Sequence, residues 1–400
     1  MADTVIFYEK NEAVISAGFT GNRISSLNIE EKENIYKIGN VYVGRVTKIL
    51  LHLKAAYIDI GMKKPCFMEL KDGFKYLTDF VHPDGDIHVG DEVVVQISKQ
   101  PYGSKPATVT PFIEVVGRNV IVTYSCSKSK VAFSSKFNEA VFKKDIKAKL
   151  TGQIPNDYSV LVRTNAAAAT YEKIEEEYNR KKAELDKFLE GYRYKNKGDL
   201  LWESEPEYIV AVRDGKGFDC NKIMTDSPDI YIRLKDYLGE NQPDLLPALS
   251  FYSDNVLSLE ALYDMRKHLS ETVSEKVWLK SGAQLVIQTT EALTSIDINT
   301  SKASAEIKNF KDGYMKINLE ATNEIKRQIL LRNISGIIII DYINDKAHSK
   351  TELFERVKEI MADTKEIQVV DITKLGLIEL TRKRTDGANT EMIKRYKLNL

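Results

Sequence analysis

Two stretches in the last third of the chain decide the fold: residues 282–301, GAQLVIQTTEALTSIDINTS, and residues 335–345, SGIIIIDYIND. Each reads as an apolar strand that ends in acids. The first places Glu291, Asp297 and Asn299 at or near its end, and the second places Asp341 after four consecutive isoleucines. In α/β sheets, groups at the carboxyl ends of central strands gather at one ligand-binding edge. Strand residues i and i+2 face the same side, so Asp297 and Asn299 can approach one ion together. Two carboxylates at such an edge repel each other unless a cation sits between them. Oxygen donors from Asp and Asn, without His or Cys, select a hard cation such as Mg²⁺ over zinc. Held by one or two carboxylates, Mg²⁺ keeps several waters and leaves positions for a phosphate oxygen and an attacking water, the equipment for hydrolysing a phosphodiester. Spacing alone also fits strand-end caps or partners of Arg and Lys, the commoner fate of an Asp, so both readings stand at this point.

Around these strands, the pattern from Lys280 onward runs strand, loop, long helix, strand, helix, strand, helix, which is the grammar of an α/β layer. Residues 4–31 alternate apolar and polar positions about a turn-forming Gly and read as a hairpin. Between Ile38 and about Val116 come five short β-patterned runs: VYVGRVTKIL, AAYIDIG, PCFMEL, EVVVQISK and ATVTPFIEVV. Turn signals at Gly61, Pro83 to Gly85, Gly90 and Tyr102 to Ser104 separate them, as in a small antiparallel barrel. A second β-rich stretch, Arg118 to Thr164, precedes a charged helix over 170–194. There Ile174, Tyr178, Leu185, Phe188 and Leu189 fall near helical spacing, and the charges read as a solvated face. Residues 205–214, EPEYIVAVRD, read as a strand. Amphipathic helices such as 257–273 follow.

Bulk properties bound the class. A chain of 400 residues exceeds what one core usually serves, so two to three globular units are expected. With 43% apolar and 29% charged residues it lies among ordinary folded proteins rather than disordered or membrane chains. No apolar run approaches a membrane span, and MADTVIFYEK lacks the basic start and long apolar core of a signal peptide, so a cytoplasmic protein is expected. Cys66, Cys126 and Cys220 are odd in number and far apart, which argues for reduced structural thiols. The five histidines show no zinc-type spacing. A net charge of +0 excludes a protein basic all over, but not a local basic groove.

The segments VWLKSGAQLVIQTTEALTSIDINTS, NLEATNEIKRQILLRNISGIIIIDYIND and LGLIELTRKRT resemble, in order and spacing, the signature segments of the ribonuclease E/G catalytic region. GNVYVGRVTKILLHLKAAYIDIG resembles that family's S1 domain, an inserted RNA-binding barrel. The resemblance implies an α+β and α/β multidomain chain. Its expected parts are an RNase H-like subdomain over 1–36 and 205–278, an S1 (OB-fold) barrel over 37–118, a 5′-sensor region over 119–204, and a DNase I-like catalytic subdomain over 279–400. It implies a magnesium-dependent endoribonuclease, with Mn²⁺ able to substitute, that cuts single-stranded, AU-rich RNA to 5′-phosphate and 3′-hydroxyl ends. Asp297 and Asp341 become the metal ligands, Asn299 the neighbouring active-site amide, and Glu291 a supporting residue.

The same resemblance makes Tyr57 and Phe67 the barrel's base-stacking aromatics and Lys105 a basic RNA contact. Tyr57 stands where Phe is commoner, which preserves stacking. The stretch VLVRTNAAAAT is similar to the 5′-sensor, with Arg163, Thr164 and the backbone of Gly117 lining a pocket for a 5′-monophosphate. Two departures matter. The pair of arginines usual after a Ser reads Ala132-Phe133-Ser134-Ser135-Lys136 here, which weakens the expected preference for a 5′-monophosphate. The family's CPxCxG-type motif, whose cysteines share a zinc ion across a dimer, does not appear, so no structural zinc is expected and a homodimer needs other contacts. The basic cluster Arg382, Lys383, Arg384, Lys394, Arg395 and Lys397 fits RNA phosphates or a solvated helix end equally well. The alternative function is a non-catalytic S1-type RNA-binding protein of the same descent.

Overall fold

Residues 4–31 carry enough alternating apolar positions for three strands, not one hairpin. β1 (Thr4–Lys10), β2 (Ala13–Thr20) and β3 (Arg23–Glu31) form an antiparallel meander. In the computed structural model the described residues are 3–101, 103, 105–124, 130–135, 137, 140–215, 221–300, 313–344, 349–364, 366–383 and 387–400. The chain separates into two compact units, Met1–Lys32 with Gly217–Leu400, and Glu33–Lys216.

The second of these units holds a closed barrel. β4 (Val41–Leu50), β5 (Ala55–Asp59), β6 (Cys66–Glu69), β7 (Glu92–Lys99) and β8 (Thr108–Thr110) pair in the cycle β4-β5-β6-β8-β7-β4, antiparallel except for β6 with β8. Ala56, Ile58, Met68, Val95 and Ile97 fill its interior. Gly44 on β4 has to be glycine, because a Cβ there would lie 2.3 Å from Ile58 Cγ2. The run ATVTPFIEVV divides between β8 in the barrel and β9 (Ile113–Val116) in the next sheet. That sheet adds β10 (Val120–Tyr124), β11 (Lys130–Phe133), helix α1 (Ala140–Thr151) and β12 (Tyr158–Val162), in the order β11-β12-β10-β9.

Helix α2 (Tyr171–Gly191), capped by the Thr170 hydroxyl accepting from the Lys173 N–H, packs Ile174, Tyr178 and Leu185 onto Val115, Val120 and Val122. Its charges are only partly solvated: Glu177 and Lys181 are buried, against the sequence expectation. β13 (Leu200–Trp202) hangs on β4. Residues 205–214 form no strand. Pro206 opens helix α3 (Glu207–Asp214) and Gly215, at φ +59°, closes it. Tyr208, Ile209 and Val212 are buried at helical spacing, so the β-prone run YIVAV is overridden by its boundary residues and by packing.

The chain then returns to the first unit. β14 (Lys222–Thr225) joins β1 in parallel, and after helix α4 (Pro228–Asn241), β15 (Leu249–Phe251) joins β14, giving the order β15-β14-β1-β2-β3. Short helices α5 (Leu259–Leu262) and α6 (Met265–Val273) pack on this sheet through Leu259, Met265 and Leu269. A second sheet follows, built from β16 (Lys276–Trp278), β17 (Gln284–Thr289), β18 (Leu293–Asn299), helix α7 (Gly313–Leu331), β19 (Gly336–Asp341), helix α8 (Lys350–Met361), β20 (Ile367–Ile372) and β21 (Ile378–Arg382), ending in helix α9 (Asn389–Arg395). Strand order is β16-β17-β18-β19-β21-β20, with β18 and β19 parallel and linked across α7. Ile317, Ala321, Ile325 and Val357 of α7 and α8 cover one face, packing on Leu285, Ile296, Ile298, Ile338 and Ile340. Ser295, Asp297 and Asn299 point from the opposite face and are exposed. Among the described residues no helix is long and apolar enough to cross a membrane.

Candidate active site

The isoleucine run of β19 is buried at alternate positions, Ile338 and Ile340, which sets its register against β18 through Thr294 and Ile296. Continuing that register, Asp297 stands opposite Asp341. Neighbouring strands lie about 4.8 Å apart, so the two carboxylates share one patch of the open face. Both are exposed, and neither enters an ion pair among the described residues. On the other side of β18 the register partners are Val286 for Asp297 and Gln284 for Asn299. Asn299 Nδ2 donates to Asp297 Oδ2 at 2.8 Å and so fixes one of its oxygens.

Asp341 is the last residue of β19, and its placement is enforced from behind. Asn318 of α7 is fully buried, donates Nδ2 to the Ile343 carbonyl at 3.0 Å and accepts the Ile343 N–H at 3.2 Å. The hydroxyls of Thr322 and Tyr342 meet at 2.9 Å beside it. These contacts clamp the two residues after Asp341. Sequence reasoning missed Asn318, although an uncharged amide on the apolar face of a long helix is a visible signal.

Glu291 belongs elsewhere. Residues 282–301 fold as the hairpin β17–β18, with Glu291 in its turn, at the end of β18 opposite to Asn299. At roughly 3.3 Å per residue, six residues put it about 20 Å from Asp297, too far to assist the same ion. Among the described residues no group of three or more His, Cys, Asp or Glu side chains gathers to hold a metal. The donors on offer are two carboxylates and one amide, all oxygen ligands, and that set fits a hard divalent cation that keeps most of its waters.

In the barrel, Tyr57 on β5 and Phe67 on β6 are register partners, with ring centroids 6.1 Å apart in an edge-to-face arrangement. Both are half-buried while Ala56, Ile58, Cys66 and Met68 point inward, so the two rings belong to the outer surface and not to the barrel core. Lys105 is exposed in the segment that enters β8, where the Ala107 carbonyl accepts the Phe67 N–H at 2.8 Å. Lys48, exposed and the register partner of Tyr57, flanks the pair from β4 and was not singled out from sequence.

Gly117 is required by a close approach: a Cβ there would lie 2.0 Å from Glu177 Oε1. Glu177 in turn accepts from the Asn119 backbone at 3.1 Å and from Asn119 Nδ2 at 2.7 Å. Arg163 Nη1 donates to the Gly117 carbonyl at 2.6 Å and to Asp214 Oδ1 at 2.7 Å. The Thr164 and Ser134 hydroxyls meet at 3.0 Å. Gly117 and Arg163 therefore do come together, but with a carboxylate already on the guanidinium. Asp214 also takes Arg213 Nε at 2.8 Å, and Arg213 Nη1 reaches Glu205 at 2.8 Å. Burial pushes the Asp214 carboxyl up, and the Arg213 and Arg163 guanidiniums more than reverse this, bringing its pKa to about 2. Sequence reasoning missed Asp214 because it lay in a misassigned strand.

One further expectation changes. Arg382 is buried, donating Nη2 to Glu366 at 2.9 Å and Nη1 to Asn333 and the Ile334 carbonyl, so it ties elements together and is not a surface contact for RNA. Lys383 remains exposed, and Arg384 and Lys136 lie outside the described residues. The Cys66 thiol is buried, which pushes its pKa up to about 11 and fits a structural role; Cys126 and Cys220 lie outside the described residues.

A closed five-stranded barrel is a form that binds oligonucleotides or oligosaccharides in OB-fold proteins, and here one with an outward aromatic pair shares its chain with an α/β layer that bears a paired-acid edge. Comparison with known proteins makes this specific. The profile of the Ribonuclease E/G family matches residues 115–385, and the chain belongs to that family. Ribonuclease G of Haemophilus influenzae is 30% identical over 390 residues, covering 94% of this chain and 78% of its own length. Ribonuclease E of Buchnera aphidicola subsp. Schizaphis graminum is 29% identical over 379 residues, covering 92% of this chain but 39% of its own length. Ribonuclease G of Escherichia coli K12 is 28% identical over 381 residues, with 91% and 76% covered. The chain thus spans about two-fifths of the ribonuclease E relative and about three-quarters of the ribonuclease G relatives.

Proposed function

We propose that the chain is the catalytic region of an endoribonuclease that hydrolyses single-stranded, AU-rich RNA with Mg²⁺, leaving 5′-phosphate and 3′-hydroxyl ends. The observation that carries this reading is the register pairing of Asp297 with Asp341, two acids side by side that form no ion pair among the described residues. Asp297 and Asp341 hold the ion, and Asn299 keeps an Asp297 oxygen turned. When bound, Mg²⁺ supplies Lewis-acid stabilisation of the phosphoryl oxygen and lowers the pKa of a water. Mn²⁺ substitutes for it, since the oxygen ligands suit both ions.

Tyr57 and Phe67 stack bases of the incoming strand, and Lys105 follows its phosphates. In this reading the barrel is S1-like, the sheet β15-β14-β1-β2-β3 is the RNase H-like subdomain, and the layer bearing the acids is the DNase I-like subdomain. Gly117, Arg163 and Thr164 line the 5′-end pocket, and Asp214 on the Arg163 fork leaves little preference for a 5′-monophosphate. The protein works in the cytoplasm, and a homodimer, where it forms, uses contacts other than a zinc link. The non-catalytic alternative is less favoured, because a pure binder gains nothing from two exposed acids side by side facing a polyanion.

The test is cleavage of a short AU-rich oligonucleotide in Mg²⁺ by the chain and by Asp297→Asn. The variant should be slower by on the order of a thousand-fold, about 4 kcal/mol of lost transition-state stabilisation. Equal cleavage by the two proteins refutes the role given to the acid pair.

A further inference from the structure

Asp341 does not face solvent alone. It forms part of the wall of a pocket of about 230 Å³ that also includes Asn318, Asn344, Lys350, Leu375 and Gly376. A cavity of that size has the volume of seven or so waters, at about 30 Å³ each. That is room for a phosphate group and part of its sugar, and short of the roughly 300 Å³ at which pockets for larger organic ligands begin.

The pocket's ammonium is Lys350, the first residue of α8. Its Nζ donates to the Leu375 carbonyl at 3.2 Å and makes no ion pair among the described residues, even though Asp341 shares the pocket. The side chain lies so close over Gly376 that a Cβ there would sit 1.9 Å from Nζ. Gly376, at φ +94°, therefore leaves the space in which the amine rests. An ammonium tethered to a neutral carbonyl keeps donors for another acceptor, since –NH₃⁺ carries three. Two opposite charges held in one small pocket without pairing leave a slot that suits a group able to face both: an anion that meets the ammonium directly and the carboxylate through a cation.

We propose that Lys350 is an RNA-contacting residue that seats a backbone phosphate beside the bond being cut, next to Asp341. This rests on the ribonuclease reading. The ammonium compensates part of the charge that a polyanion brings to two aspartates, so it acts on substrate binding more than on the chemical step. A backbone phosphate is the class of ligand expected, since the ammonium and the pocket's volume of about 230 Å³ suit a phosphate group.

The experiment compares the wild-type chain with Lys350→Met and Lys350→Arg. Binding of a fluorescent single-stranded oligoribonucleotide is followed by anisotropy over a salt series in EDTA, and cleavage is followed in Mg²⁺. Each phosphate contact on a single strand contributes about 0.7 to the slope of log K against log salt. Lys350→Met should bind more weakly, with that slope reduced in magnitude by about 0.7, and should raise KM far more than it lowers kcat. Lys350→Arg should restore both. A merely structural tether between α8 and the Leu375 turn would lower the melting temperature and leave the salt slope alone. An unchanged slope in Lys350→Met overturns the proposal, and it leaves the nuclease reading intact if the wild type still cleaves. Absence of RNA binding by the wild type overturns both.

Discussion

Two charged clusters of this chain, one in each compact unit, are built on opposite plans. On the β18–β19 edge, Asp297 and Asp341 stand side by side and exposed, Asn299 donates to Asp297, and neither acid enters an ion pair among the described residues. In the other unit, Arg163 and Arg213 are paired with Asp214 and Glu205, with the Arg213 and Asp214 side chains 8% and 9% exposed. The first cluster has no ion pair among the described residues, and the second pairs its own charges. Uncompensated charge at a surface costs stability and persists where something outside the chain completes it. A self-satisfied network holds the fold together and has little left to offer a ligand.

The same change, removal of one carboxylate, should therefore have opposite consequences in the two places. Asp214→Ala strips a partner from two guanidiniums in a buried setting and should cost about 3–5 kcal/mol in urea unfolding; a loss below 1 kcal/mol would erase the contrast. Acid titration reads the same network more gently. The Asp214 pKa lies below its ordinary value of 3.8, at about 2, so its stabilising contribution is complete above pH 4 or so and is lost as pH falls from about 4 to about 2. That contribution is roughly 2 kcal/mol, and Asp214→Asn should flatten this part of the wild-type stability curve.

At the open edge, Asp297→Asn relieves a repulsion and should leave stability unchanged or raise it by up to about 1 kcal/mol. A clear drop in melting temperature would mean that the acid pair is structural after all. The smallest effect concerns RNA ends. With Arg163 engaged by Asp214, kcat/KM for 5′-phosphorylated over 5′-hydroxyl substrates should differ by less than about five-fold, or ~1 kcal/mol. A ratio above ten would show that the Arg163 fork is released on binding.

What could be read from the sequence follows the same division. The acid pair was legible because the four isoleucines fix which residues face the core, and strand alternation then carries Asp297 and Asn299 to the other face. The barrel was legible from its short strands and turns, whereas the surface role of Tyr57 and Phe67 came from the family resemblance, since an aromatic in a strand is more often core; their alternation with Ala56 and Met68 is visible in the fold. Glu291 was misplaced because a hairpin turn with neither Gly nor Pro, Thr290-Glu291-Ala292, hid inside an apparently continuous run. Asp214 was invisible for a different reason. Tyr-Ile-Val-Ala-Val favours a strand by propensity, and only the Pro206 and Gly215 boundaries reveal a helix. Lys350 and Asn318 act through residues distant in sequence, at the Leu375 turn and Ile343, which no local pattern announces.

The division of the first unit between Met1–Lys32 and Gly217–Leu400 has a consequence for synthesis. β1 takes its parallel partner from Lys222–Thr225, so the meander leaves the ribosome before that neighbour and lacks it until the intervening 33–216 have been translated. At 5–20 residues per second that interval is about 10–40 s. For that time β1 offers an unpaired, apolar border, whereas the barrel unit, contiguous in the chain, has every segment it needs to finish folding. Nascent chains stalled just short of residue 222 should therefore be the stage most prone to associate with one another.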